Sequence, residues 1–397
     1  MSSKVALYSA VGSALTHFEV DVQRATLTQR ATIQTPANVQ YAWPHPSRRY
    51  LYVATSNRGP GLKSDYNHLS AFKIDPHTGA LSPHGESQTH YARAVHICVE
   101  PQGQYVLSGH NLPRPGLTIN PIAADGRLAP AVAQRHADLD FGIYPHQVMS
   151  TPSGRAAIII DRGNDAAKGK PEDPGALRFY HLDRGQLSPF CAVAPNWGYG
   201  FGPRHLDFHP TQPWLYVSLE RQNQLYMYHM VGDVCATDAS FVRSTLANPH
   251  QVMPRQLAGT IHVHPNGRFV YVMNRADSSV DFHGQHVFNG GENSIAVFAL
   301  DPHTGEPTLI QHAQIQNIHV RTFSIDPSGQ LLITGSIEPH KMRNPDGGST
   351  AIIDMPAALS LMRIGADGRL TFLSRVDIQT GDQQQYWTGM VGLPQTA

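Results

Sequence analysis

The chain is predicted to fold as an all-β, seven-bladed β-propeller built of four-stranded antiparallel blades. Three observations carry this reading. A strand–turn–strand unit recurs six times along the chain. The turn prolines of those copies, Pro46, Pro101, Pro152, Pro210, Pro265 and Pro327, stand roughly 50 to 60 residues apart, within the range of propeller blades. The two ends of the chain hold strand-like runs that make a complete blade only when put together.

The clearest copy is 202–230, GPRHLDFHPTQPWLYVSLERQNQLYMYHM. It reads as a strand at 205–208, a tight HPTQP turn, a strand at Trp214–Leu219 and a third strand at 224–230, because apolar and aromatic residues crowd each run between turn residues. The other copies are 39–57, 95–111, 145–162, 259–275 (GTIHVHPNGRFVYVMNR) and 320–336 (VRTFSIDPSGQLLITGS). Before the first copy lie strand-like runs at 5–10, 15–21 and 27–34, and after the last blade comes QYWTGMVGL at 385–393. Residues 1–38 and 385–397 are therefore expected to form the closing blade of a single domain spanning 1–397. Pairing the two ends removes two exposed sheet edges.

Composition agrees with this and excludes several classes of function. The 34 glycines and 30 prolines suit a chain of hairpins, and no convincing helix is visible. Charged residues are 15 % and the formal net charge is zero, so the basic footprint of a nucleic-acid binder is missing. No apolar run reaches the roughly 18 residues of a membrane span, and the start MSSKVALYSAVGSA lacks the pattern of a secretory signal. Cys98, Cys191 and Cys235 are few, odd in number and far apart, which suggests reduced thiols and a cytoplasmic protein. Cys98, inside an inner strand, reads as a small buried hydrophobe. Oligomeric state leaves no mark on the sequence.

In a propeller the first strand of each blade lines the central channel and the second runs back against it, so the start of the first and the end of the second meet at one rim. This places Arg204 and His205 near Glu220, Thr260 near Asn274 and Arg275, Tyr41 near Asn57, His96 near His110 and Asn111, His146 near Asp161 and Arg162, and Arg321 near Ser336. Four long connections, 58–68, 163–175, 276–293 and 337–357, leave that same rim, whereas the opposite turns are short. Connections of this length are usually functional or disordered. They are expected to wall a pocket.

The candidate residues follow from this geometry. His45, His209, His264 and Asp326 recur at the tight turns and are expected to cap them. His262 and His264 share a strand face, but their counterparts elsewhere in the repeat form no ligand set, so a metal pair there is disfavoured. Arg204, Arg275 and Arg321 at a channel mouth suit an anionic small-molecule ligand. Glu220 can neutralise them or carry protons. His146 and His205 can act as acid or base, or bond to backbone. His96, His110, His205, Arg321 and Asn274 complete the predicted substrate-binding rim. No cofactor is expected, although Asn57, Asn111, Asp161, Glu220 and Asn274 leave a divalent cation conceivable. Other catalytic signatures, a G-x-S-x-G elbow or a phosphate-binding loop among them, are missing. A non-catalytic binding propeller would carry an exposed apolar patch in place of this charged rim.

The run PRHLDFHP followed by WLYVSLE, and GTIHVHPNGRFVYVMNR followed by ENSIAVFALDP, resembles the lactonase family of seven-bladed β-propellers, over nearly the whole chain. That family includes propeller-type 6-phosphogluconolactonases and 3-carboxy-cis,cis-muconate lactonizing enzymes (carboxymuconate cyclases). The resemblance implies chemistry on an acidic or sugar-derived lactone, with hydrolysis and cycloisomerisation both open. Carried over by motif, His146 in YPHQ, Arg204 in PRH, Glu220 in SLER and Arg275 in MNR are the implied catalytic residues. The long rim connections and the density of rim histidines depart from the family's simple pattern.

Overall fold

The computed structural model describes residues 4–344 and 351–394. The centre of the long connection 337–357, and the outermost residues of the predicted domain 1–397, lie outside the described residues. Antiparallel sheets are arranged radially as seven blades. Their innermost strands are Asn38–Pro44, Ala94–Val99, Pro145–Ser150, Pro203–Phe208, Leu257–Val263, Val320–Ile325 and Gln385–Gly392, and each touches the next around a closed ring. We number the blades I to VII in that order.

Blade VII is built from both ends. Gln385–Gly392 is its inner strand and pairs antiparallel with Val5–Val11, followed outward by Ala14–Asp21 and Thr26–Gln34. The ring closes as the terminal runs predict.

Four strands are not universal. Blade II has three, Ala94–Val99, Tyr105–His110 and Gly116–Pro121. Its outer edge is covered instead by an irregular run in which the amides of Ala129 and Val132 donate to Pro121 and Ile119 at 2.9 Å. Pro130, without an amide hydrogen, interrupts what would be a ladder there. In blades I and IV the outer position is shared by two short strands, Leu81–Pro83 with Gln88–Thr89 and Val234–Cys235 with Phe241–Ser244.

The apolar core is divided into seven clusters, and each straddles one blade interface. At the closure, Ala6, Tyr8 and Trp387 of blade VII pack on Leu51 and Val53 of blade I. The second strands are thus buried on both faces, which is why they read as near-continuous hydrophobic runs.

Repeated polar ties add register between blades. The hydroxyls of Tyr8, Tyr52, Tyr216 and Tyr271 donate to the carbonyls of Gly79, Gly126, Gly305 and Gly368 in the following blade, at 2.7 to 2.9 Å. The turn residues do cap their turns: His209 Nδ1 accepts from the Gln212 amide and Asp326 from those of Gln330 and Leu331. They also do more, because Nε2 of His45, His209 and His264 bonds the carbonyl of Gly103, Gly267 and Gly329 in the next blade. Each of these glycines has φ of +72°, where a side chain would be strained and its Cβ would fall within 2.5 Å of that imidazole.

Two of the long connections are themselves folded. The connection after Phe269–Arg275 carries the hairpin Ser279–Phe282 with Gln285–Phe288, and the one after Leu331–Ser336 carries His340–Arg343 with Ile352–Met355. The Arg343 guanidinium sits 4.4 Å from the Phe282 ring centroid, so the two hairpins form one raised wall.

Candidate functional site

A register shift recurs at the same end of every blade. Pairing of the inner strand with its neighbour skips one residue at Gln40, Val95, His146, Arg204, Arg321 and Tyr386, and two at Gly259 and Thr260. A β-bulge leaves its extra residue out of the ladder and re-aims its side chain. Seven bulges in a ring therefore mark one mouth of the channel, and five present long polar groups: Gln40, His146, Arg204, Arg321 and Tyr386.

The second strands contribute at the same level. Arg162 and Glu220 follow the last paired residue of the inner hairpin in blades III and IV, and Arg275 is that last residue in blade V. Glu220 is the hub. Its Oε1 accepts from Arg204 Nε at 2.8 Å and Arg275 Nη2 at 2.7 Å, and its Oε2 accepts from Arg162 Nη1 at 2.7 Å. Glu220 and Arg204 are each 1 % exposed. Burial would raise the Glu220 carboxyl, but Arg275, Arg204 and Arg162 together hold it well below the usual carboxylate range.

Three guanidiniums, those of Arg162, Arg204 and Arg275, share this one carboxylate, and a fourth, Arg321, stacks on Tyr386 at 3.9 Å. Burial lowers Arg204 to about 9, and neighbouring Arg275 adds to the effect. Arg204 Nη1 and Arg275 Nε are buried and make no hydrogen bond among the described residues. Such donors, desolvated and short of negative charge, are organised for an anion.

Beside the arginines lies a histidine cluster. The His146 ring is 5.2 Å from that of His205, which is 5.7 Å from His96, and His96 packs at 3.9 Å on Tyr41. Burial lowers all three, His96 to about 3 and the other two well below the ordinary imidazole value, with Arg204 depressing each further. They are neutral at physiological pH. His146 Nδ1 makes no hydrogen bond among the described residues.

Beside the mouth opens a cavity of about 560 Å³, lined by Gln40, Tyr386, Glu338, Asp382, Gln383 and Gln384 among others. Its walls are rich in carboxylates and amides. It meets the cluster at the bulge residues Gln40 and Tyr386.

Of the nine residues singled out from sequence, His146, Glu220, Arg204, Arg275, His96, His205 and Arg321 come together. Asn274 and His110 do not. Asn274 precedes Arg275 in the same strand, so its side chain leaves by the opposite face, where Nδ2 donates to the Thr245 carbonyl and Ser294 Oγ. His110 is bonded to Thr118 Oγ1 and the Arg93 carbonyl, beside His90 and Tyr91.

The divalent-cation set Asn57, Asn111, Asp161, Glu220 and Asn274 does not converge either. Asp161 is occupied by the amides of Ile143 and Tyr144 and by Arg178 Nε, and Glu220 by three arginines. His262 and His264 form no metal pair, since His264 is bonded in its turn and His262 Nδ1 lies 3.5 Å from Asp207 Oδ2. Sequence reasoning gave no role to Arg162, Gln40 or Tyr386. Superposing the repeat copies would have found Arg162, because it occupies the position of Glu220 and Arg275.

A family model described as lactonase, 7-bladed β-propeller, matches residues 4–341. The 6-phosphogluconolactonase of Bacillus subtilis (strain 168) is 24 % identical over 344 residues, 84 % of this chain and 87 % of that protein. The 6-phosphogluconolactonase of Pectobacterium carotovorum subsp. carotovorum (strain PC1) is 27 % identical over 312 residues, 78 % of this chain and 81 % of that protein. Among solved structures, the periplasmic gluconolactonase of Pseudomonas aeruginosa superposes with a TM-score of 0.72 at 20 % identity, covering 99 % of this chain and 100 % of that one. A putative 6-phosphogluconolactonase from Bacteroides fragilis gives 0.69 at 18 % identity, covering 98 % of each chain. At these identities the structural likeness establishes the fold.

Proposed function

Since the chain belongs to the seven-bladed β-propeller lactonase family, we propose that it hydrolyses the ring of a sugar-derived lactone bearing an anionic group. The observation that carries this reading is the buried mouth cluster, three guanidiniums sharing one carboxylate with a fourth nearby, set beside neutral histidines. The relatives reported above are lactonases by name, which favours ring opening over cyclisation.

Ring opening requires water made nucleophilic and a donor for the oxyanion that grows on the lactone carbonyl. His146 takes the water proton and the hydroxide oxygen attacks the carbonyl carbon. Arg275 holds the developing oxyanion while Arg204 clamps the anionic group of the substrate, and collapse of the tetrahedral intermediate expels the ring oxygen, which receives the proton back from His146. The products are a hydroxy acid and a free His146.

Glu220 is a poor base, because three guanidiniums hold its carboxyl far below the operating pH. Its role in this reading is to position the arginines. His146 is depressed by burial and by those same arginines, so an anionic substrate that offsets their charge moves its pKa back toward the useful range. The amide-rich cavity beside the mouth would take the hydroxylated part of such a substrate. The chemistry needs no cofactor, and the three unpaired cysteines support a reducing, cytoplasmic setting.

The deciding experiment follows acid release with a pH indicator on aldonolactones, phosphorylated aldonolactones and carboxylated muconolactones. Release from an anionic lactone that disappears in His146→Asn supports the proposal. Folded protein inactive on every lactone refutes it.

A further inference from the structure

Next to the arginine cluster, and bordering the cavity just described, the connections after blades V and VI place two imidazoles and a carboxylate together. The ligand-capable atoms of His319, Glu338 and His340 lie within 4.8 Å of one another, the one such group of His, Cys, Asp or Glu among the described residues. We propose that these three residues bind one divalent transition-metal ion, with its remaining coordination position facing the cavity beside the channel mouth.

Three independent features support the site. His319 Nδ1 and His340 Nε2 are buried and make no hydrogen bond among the described residues. A buried imidazole nitrogen without a partner costs free energy unless something else satisfies it, and a cation would satisfy both. A second carboxylate also lies close, since Asp277 Oδ2, paired with Arg255 Nη2 at 2.6 Å, is 3.5 Å from His319 Nδ1. Arg275 Nη1 donates to His319 Nε2 at 3.4 Å while its Nη2 is held by Glu220, so Nδ1 is the His319 nitrogen left for the ion. Finally, Glu338 is oriented from behind: its Oε2 accepts from Gln384 Nε2 at 3.0 Å, an outer hydrogen bond of the kind that fixes metal-binding carboxylates.

The donor set selects the metal class. Two imidazole nitrogens and one carboxylate suit zinc, cobalt or nickel, whereas calcium and magnesium prefer all-oxygen shells. Metal–ligand bonds of about 2.1 Å require donor atoms about 3.4 Å apart, so binding would draw the three side chains modestly inward. Glu338 also lines the 560 Å³ cavity, which gives the open position access to water or to an oxygen of a bound ligand. No step of the proposed hydrolysis is routed through this ion.

The test reads binding alone, so its failure leaves the lactonase reading standing and the reverse also holds. Tag-free protein stripped with a chelator is titrated with Co²⁺ and Zn²⁺, following heat and the visible cobalt bands. The expected result is one ion per chain, cobalt bands of mixed nitrogen and oxygen coordination, and affinity weakened about tenfold or more in both His340→Ala and Glu338→Gln. A zinc-dependent rise in Tm in the parent chain, lost in both variants, gives the same answer without relying on spectra. No stoichiometric binding, or equal affinity in parent and variants with unchanged Tm, overturns the proposal.

Discussion

The Arg321 guanidinium lies 3.9 Å from the ring centroid of Tyr386, tying blade VI to the strand that closes the ring. The C-terminal strand therefore does two things at once. It pairs with Val5–Val11 and delivers an aromatic side chain to the channel mouth.

Removal of residues 385–397 should lower Tm sharply, because it opens the edge of Val5–Val11 and strips Trp387 and Val391 from the cluster between blades VII and I. Calorimetry on the truncated chain checks this; an unchanged melt would contradict the closed ring. Tyr386→Ala should be milder, with a loss of about 0.5–2 kcal/mol from the cation–π contact.

His146→Asn should lower kcat about 10²- to 10⁴-fold with little change in KM, the range for loss of a general base. The melt should be retained. Full turnover in this variant would remove His146 from the mechanism.

Glu220→Gln separates positioning from proton transfer. Loss of the carboxylate leaves Arg162, Arg204 and Arg275 facing one another in a buried site, which should destabilise the fold by about 3–5 kcal/mol. Residual activity should keep the parent pH profile, because Glu220 does not set it. Loss of one limb of that profile would instead make Glu220 the titrating base.

Arg204→Met should raise KM for an anionic lactone by roughly 10- to 100-fold, as expected for about 1.5–3 kcal/mol lost with a charge-assisted hydrogen bond. A neutral lactone should be affected much less. Equal losses on both substrates would place the effect on the oxyanion instead of on the anionic group.

Acid should weaken the fold early. Burial lowers His90 to about 4 and His96 and His110 to about 3. Each folded value lies below the unfolded value near 6.5, so as pH falls the unfolded chain takes up protons first. Stability is therefore fully present above about pH 6.5 and declines from there toward about pH 3–4, by about 1.4 kcal/mol per pH unit for each such histidine. Denaturant titrations from pH 7 to 5 should show a shallower slope, by about one proton, in His110→Gln.

Strand identity was largely legible. Trp214–Leu219 was read to the residue, and the runs 5–10, 15–21 and 27–34 became Val5–Val11, Ala14–Asp21 and Thr26–Gln34. Hairpin periodicity and turn prolines are local signals, and local signals survive in one dimension. Blade II lost its fourth strand to Pro130, a residue visible in the sequence whose consequence depends on which edge it would join.

The site was legible by level but not by direction. Knowing that Arg204, His146 and Glu220 reach one rim follows from antiparallel hairpins. Knowing that Asn274 turns away while Arg275 turns in depends on strand register and on the bulge at Gly259 and Thr260. Arg162 meets Glu220 across 58 residues of chain.

The sequence by itself determined the repeat, the strands and the terminal closure, because each rests on hydrophobic period and turn chemistry within a few residues. The tertiary structure alone decided which charges share one carboxylate and which histidine nitrogens are left unpaired. Those contacts form between blades, and their distances exist only once the ring has closed and the bulges have aimed the side chains inward.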